Sequence, residues 1–181
     1  DSGYYSPGTV GGVGVATSVT TTATSQTPCA AGKYQADTAQ SSCDTASAGY
    51  YSEGTVGGTG VTVTSVASSQ TPCAAGTYIA TSGASSCTDA AAGTYSVGTI
   101  TVNGAVVPAT TETACAAGTF QANTGQSSCD DAAVGYYSPG TMGGSGVDTS
   151  ITTTATSQLL CAAGTWQNET GQTSCKNAGS G

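Results

Sequence analysis

The sequence predicts a mostly β and loop protein, assembled from small disulfide-stapled modules in a tandem linear array. Three observations carry that expectation. One cysteine-bearing phrase recurs four times along the 181 residues. Val, Ile, Leu and Phe together number only 20, or 11% of the chain, well below the share that fills an ordinary globular core. No segment carries an apolar stripe of helical period with caps, despite many alanines. Disorder does not follow from the apolar scarcity, because a net charge of −8 is modest and 11 aromatic residues stand at regular positions.

The repeat sets the organisation. First cysteines fall at Cys29, Cys73, Cys115 and Cys161, spaced by 44, 42 and 46 residues, and each second cysteine (Cys43, Cys87, Cys129, Cys175) follows its partner by 14. Gly32, Gly76, Gly118 and Gly164 lie three after the first cysteine, and Tyr34, Tyr78, Phe120 and Trp166 lie five after it. Upstream, Gly3, Gly49, Gly93 and Gly135 each precede an aromatic by two, namely Tyr5, Tyr51, Tyr95 and Tyr137. These landmarks divide the chain into repeats at 3–48, 49–92, 93–134 and 135–181. Repeats one and four match best: "GYYSPGTVGGVGVATSVTTTATSQTPCAAG" returns 132 residues later as "GYYSPGTMGGSGVDTSITTTATSQLLCAAG". A three-repeat super-period in a longer parent array accounts for this. The start at Asp1 and the stop within a repeat are read as a processed chain or one window on such an array.

Within each repeat the expected elements are short strands and ordered turns. Val61-Thr62-Val63-Thr64 alternates apolar and polar residues, and "TITVNGAVV" sets Asn103-Gly104 between two β-branched runs, the strongest short hairpin signal.

Eight cysteines admit three readings. Zinc asks for close pairs such as C-x-x-C or for histidine partners, and the chain has no such pair and no histidine. A reactive thiolate asks for a neighbouring base or cation, against two lysines in all. Structural disulfides remain, and the register favours Cys29–Cys43, Cys73–Cys87, Cys115–Cys129 and Cys161–Cys175, with pairing across repeats, such as Cys43 to Cys73, as the alternative. A loop of this length is worth about 3 kcal/mol, comparable to the net stability of a module so poor in apolar side chains. Either pairing requires an oxidising compartment outside the cytosol.

The string "CAAGTYIATSGASSCTDAAAGTYSVG", from Cys73 to Gly98, resembles the ephrin-receptor-like cysteine-rich repeat of secreted and cell-surface proteins. That pattern runs roughly C-x-x-G-[TY]-Y, a Gly/Ser-rich loop, then C-x-x-C-x-x-G-x-Y. The resemblance covers about 25 residues of each repeat. The family's next cysteine is here Ala46, Ala90, Ala132 and Ala178. The resemblance implies small disulfide-stapled β-modules strung along an ectodomain, with the first two cysteines paired locally. The remaining Thr- and Val-rich insertion, such as "GTVGGVGVATSVTTTATSQTP", is expected to form a hairpin packing on a neighbouring repeat or a neighbouring chain.

Lys plus Arg is only 2, which makes nucleic acid and anionic membranes poor partners, and no run approaches the roughly 20 apolar residues of a membrane span. The ten carboxylates scatter along the array, so no catalytic residue, metal or cofactor is expected. Asp130-Asp131 could touch a calcium ion, but plain solvated turn charges are the favoured reading. Asn168-Glu169-Thr170 is an N-glycosylation sequon. The Thr tracts holding Thr20, Thr21, Thr22, Thr24 and Thr152, Thr153, Thr154, Thr156 suit O-glycans, or equally an exposed β-face of threonines. The recurring aromatics are expected to pack over the disulfides rather than to form a sugar-stacking ladder.

These features lead to an expected function: a glycosylated structural repeat, extracellular or on the cell surface, building the shaft of a fibre, filament or appendage. Its partners would be copies of itself, head-to-tail or lateral, because repeats that stack in one dimension present matching surfaces. The alternative is a ligand- or glycan-binding ectodomain or adhesin stalk, with the third repeat as the contacting unit. An enzyme is not expected.

Overall fold

The computed structural model describes residues 1–7, 25–56, 65–140 and 154–179. Among them there is no helix, and every sheet is a two-stranded antiparallel ribbon. This is the strand-and-loop architecture of small stapled units that the composition implies. The Val61–Thr64 strand expectation lies outside the described residues.

Each repeat contains two ribbons. The first joins the residues after the upstream glycine to those before the first cysteine: β1 (Tyr4–Tyr5) with β2 (Thr27–Pro28), β5 (Tyr50–Tyr51) with β6 (Thr71–Pro72), β9 (Thr94–Tyr95) with β12 (Thr113–Ala114), and β15 (Tyr136–Tyr137) with β16 (Leu159–Leu160). The second joins the residues after the next glycine to those after the second cysteine: β3 (Lys33–Tyr34) with β4 (Asp44–Thr45), β7 (Thr77–Tyr78) with β8 (Thr88–Asp89), β13 (Thr119–Phe120) with β14 (Asp130–Asp131), and β17 (Thr165–Trp166) with β18 (Lys176–Asn177). The third repeat adds a hairpin, β10 (Ile100–Val102) with β11 (Ala105–Val107), turned by Asn103 and Gly104 at positive φ, as a two-residue Asn-Gly hairpin requires.

The same chain reversal starts all eight ribbons. In "Ala-Ala-Gly" the Lys33 N–H bonds the Ala30 carbonyl at 3.0 Å with Gly32 at φ 79°, the type II turn whose third position needs a left-handed residue. The N–H of the residue just before that turn then closes the ribbon onto the preceding glycine carbonyl, Cys29 to Gly3 and Ala46 to Gly32, both at 2.9 Å. Cys29 and Ala46 thus occupy one structural position in the two ribbon types.

The chain divides into two compact units, Asp1–Cys73 with Ile79–Cys87, and Ala74–Tyr78 with Thr88–Gly181. The interior of each is built from very small side chains. Among the described residues the buried apolar side chains are alanines and cysteines, including Cys29, Ala46, Ala90 and Ala132 at 0% exposure, with Ile79 the sole larger aliphatic. Where no greasy core exists, backbone hydrogen bonds and covalent links have to supply the cohesion.

Candidate functional site

The part of the molecule that carries chemistry is the staple and the backbone ladder beside it. All eight cysteines are bridged within their own repeats, Cys29–Cys43, Cys73–Cys87, Cys115–Cys129 and Cys161–Cys175, with Cα atoms 5.7–5.8 Å apart. Cross-repeat pairing does not occur. Each bridge ties the end of a first ribbon to the end of the loop that connects the two strands of the second.

Successive ribbons are joined by backbone bonds that recur in register. In the first unit the N–H of Gly3 donates to the Gln35 carbonyl (2.7 Å), that of Gly32 to Ser52 (2.7 Å) and that of Gly49 to Ile79 (2.9 Å). The second unit repeats the pattern, Gly76 to Ser96, Gly93 to Gln121, Gly118 to Ser138 and Gly135 to Gln167, at 2.7–2.8 Å. A further rung links the stapled loops: Gly83 N–H to Ala46 carbonyl in the first unit, Gly125 to Ala90 and Gly171 to Ala132 in the second, at 2.7–2.8 Å. The contact is close enough that a Cβ on Gly32 would meet the Gly83 carbonyl oxygen, and one on Gly118 the Gly171 carbonyl oxygen, both far inside van der Waals range.

The residue three after the ribbon glycine is buried in seven of the eight ribbons, Ser6 being half-buried, and most of these residues anchor a loop. Ser52, Ser96 and Ser138 donate their hydroxyls to the carbonyls of Lys33, Thr77 and Thr119 at 2.7–2.9 Å and accept from the N–H two residues on. In the second ribbons Gln35, Gln121 and Gln167 span the loop, each amide donating to the carbonyl of Ser42, Ser128 or Ser174 and accepting from the backbone near its other end. Ile79 takes that place in the second repeat. A fourth recurring group lies three before the first cysteine: Gln70, Glu112 and Gln158 accept from the N–H of Ser47, Ala91 and Ala133 at 2.6–2.7 Å. Sequence reasoning passed over these Ser, Gln and Glu side chains. Their constant offset from Gly or Cys was the available signal, and polar composition masked it.

The candidate sites are distributed as follows. Asn168 and Thr170 are exposed on the loop between β17 and β18, where the Asn168 N–H donates to Gln167 Oε1. Thr154 and Thr156 are exposed, whereas Thr20, Thr21, Thr22, Thr24, Thr152 and Thr153 lie outside the described residues. Asp130 and Asp131 are successive strand residues, so their side chains leave opposite faces of the ribbon rather than converging on one ion. Among the described residues no group of three or more acidic, histidine or cysteine side chains is gathered.

The aromatics five after the first cysteine are half-buried at Tyr34, Tyr78 and Phe120, while Trp166 is 44% exposed beneath the Lys176 ammonium, 5.2 Å from its ring centre. The upstream aromatics line open grooves of about 420 Å³ together with a bridged sulfur, Tyr5 with Cys43 and Tyr95 with Cys129. Among the described residues no helix is long and apolar enough to cross a membrane. Neither a protein-family model nor a curated protein matches the chain.

Proposed function

We propose that the chain is a structural repeat of an extracellular fibre, filament or cell-surface appendage, carrying glycans and assembling with copies of itself. The observation that supports this most directly is the periodic ladder. Each ribbon offers the same donor and acceptor to the next, so a further ribbon of the same sequence finds matching partners without any new design. The Gly164 and Gln167 N–H groups meet no acceptor among the described residues, whereas their counterparts Gly118 and Gln121 bond Ser138 and Ala155 at 2.8 Å. They are the donors a following ribbon would use. Four disulfides support this reading, because such bridges form and persist in oxidising compartments outside the cytosol.

Likeness to the ephrin-receptor-like repeat belongs to this proposal, and burial gives it a physical sense. Ala46, Ala90 and Ala132, where that pattern continues with cysteine, are fully enclosed and structurally equivalent to the first cysteines. An alanine there keeps the packing while dropping the additional bridge. The role is proposed as non-enzymatic, with Asn168 and the exposed threonines as attachment points for sugars.

Electron microscopy of native material is the test. Filaments with an axial period matching one repeat or three support the shaft, and dispersed monomers at all concentrations exclude it. A glycan-binding ectodomain is the second reading, favoured by the matching grooves at Tyr5 and Tyr95. Saccharide-induced chemical-shift changes confined to those grooves would select it.

A further inference from the structure

The fourth repeat departs from the others at two nearby positions of its second ribbon. Seven residues after the first cysteine, where the earlier repeats carry exposed alanines at Ala36, Ala80 and Ala122, it carries Asn168, the asparagine of the only N-x-[ST] sequon in the chain. Five after that cysteine, in place of Tyr34, Tyr78 and Phe120, stands the only tryptophan, Trp166. The residue between them fixes their direction. Gln167 is buried and turns inward, its amide bonding the Ser174 carbonyl at 3.0 Å while its Oε1 accepts from the N–H groups of Asn168 and Glu169. Side chains alternate along the chain leaving β17, so Trp166 and Asn168 both face outward, and both are exposed. Two residues span at most about 7 Å, within reach of an asparagine side chain and one sugar ring.

The indole is already held in place. Lys176, its cross-strand partner, sets an ammonium over the ring 5.2 Å from the centroid, and Glu169 in the middle of the sequon holds that ammonium at 3.7 Å. Trp166 still keeps 44% of its surface in water. A following ribbon would cover only part of it, because Tyr34, Tyr78 and Phe120, each followed by another ribbon, are no more than half-buried.

We propose that Asn168 carries an N-linked glycan whose first pyranose stacks on the Trp166 indole. This rests on the glycan-bearing reading above and adds the protein surface on which the sugar lies. A pyranose presents an apolar face of C–H groups with slight positive charge, which the electron-rich ring attracts. Attachment is a substitution at the sugar C1. The Asn168 Nδ2 forms the C–N bond, the C–O bond to a lipid pyrophosphate donor breaks, the pyrophosphate departs with the electron pair, and the amide releases one proton. Neither oxidant nor reductant enters. Tethering two residues away keeps the sugar at high effective concentration, so a contact too weak to hold a free saccharide persists here.

The test uses the intact chain secreted through an oxidising pathway that transfers N-glycans. Intact mass reads occupancy, the emission of the single tryptophan reads its surroundings, and amide exchange reads the β17–β18 ribbon. A glycan mass located at Asn168 is expected, with tryptophan emission to the blue of that of Thr170→Ala, which lacks the sequon, and kept when the glycan is trimmed to its first sugar. Exchange at β17–β18 should be about threefold to tenfold slower with the glycan than in the Thr170→Ala background, both for the wild type and for Trp166→Tyr, and equal with and without it for Trp166→Ala. Absence of any glycan at Asn168 overturns both the proposal and the glycan-bearing reading of that residue. Occupancy with unchanged emission and exchange, or equal slowing in Trp166→Ala, overturns the stacking and leaves the glycan. Emission that follows protein concentration rather than the sugar also overturns it, since a second copy then covers the ring.

Discussion

The two connections within a repeat obey opposite rules. Loops joining the strands of the second ribbon, such as Gln121–Cys129, have one length in all four repeats, while the connections of the first ribbon, such as 96–112, vary in length and content. The stapled loop carries ladder groups at its glycine, its glutamine and its cysteine, so adding a residue would break several bonds at once. Among the described residues the insertion carries rungs near its ends, where Thr55 Oγ1 accepts from the Ala67 N–H and the Thr99 hydroxyl does the same for Ala109. Between those points it is free to lengthen or to grow a hairpin. Constancy of length thus follows hydrogen-bond register rather than apolar content.

Substitutions at the two connections test that contrast. Replacing Cys115 and Cys129 together by serine should cost about 3 kcal/mol, seen as loss of amide protection across 119–131 while the β10–β11 hairpin keeps its own. Gly118→Ala should cost about 2 kcal/mol or more, because a Cβ at φ 90° meets the Gly171 carbonyl; Gly164→Ala, with open space around its Cβ, should cost only the backbone preference of about 1 kcal/mol. Comparing the two denaturation midpoints isolates the ladder contact from the turn.

Gln121→Ala should cost about 1–3 kcal/mol by leaving the Ser128 carbonyl and the Asn123 N–H without their partner. Gln121→Ile, copying Ile79 of the second repeat, should recover part of that loss. Equal costs for the two would mean that the amide bonds contribute nothing. Ala39→Gly should stabilise the first repeat by about 1 kcal/mol, since Ala39 sits at φ 60° where the other three repeats place Gly83, Gly125 and Gly171. A two-residue glycine insertion beside Asn103-Gly104 should move the melting temperature least of all, by well under about 1 kcal/mol equivalent. A large loss there would refute the freedom assigned to the insertion.

Much of the architecture was legible beforehand because it is local. The Asn103-Gly104 hairpin and the 14-residue cysteine interval each specify geometry within a few residues of themselves, and the recurring glycines mark where the chain reverses. The expected packing of the insertion on a neighbouring repeat is seen at its ends, where the Ala67 and Ala155 carbonyls accept from the Gln35 and Gln121 N–H groups of the preceding repeats at 2.8 Å, whereas the third repeat's hairpin stands exposed. The aromatic that shares a groove with the bridge is Tyr5 or Tyr95, upstream of the first cysteine, since ribbon pairing brings that strand beside the second cysteine.

Taken alone, the residues determined that this protein is modular, strand-based and cross-linked, because repetition, turn chemistry and cysteine spacing are properties of short stretches. Only the tertiary structure decided that the two ribbons of a repeat are the same object, with cysteine and alanine exchanging at one buried position, and which polar side chains hold them in register. Those contacts join residues as far apart as Thr55 and Gly3, whose hydroxyl-to-carbonyl bond of 2.8 Å spans 52 positions. A donor's partner at that separation is chosen by how ribbons stack, and stacking has no signature in composition or period.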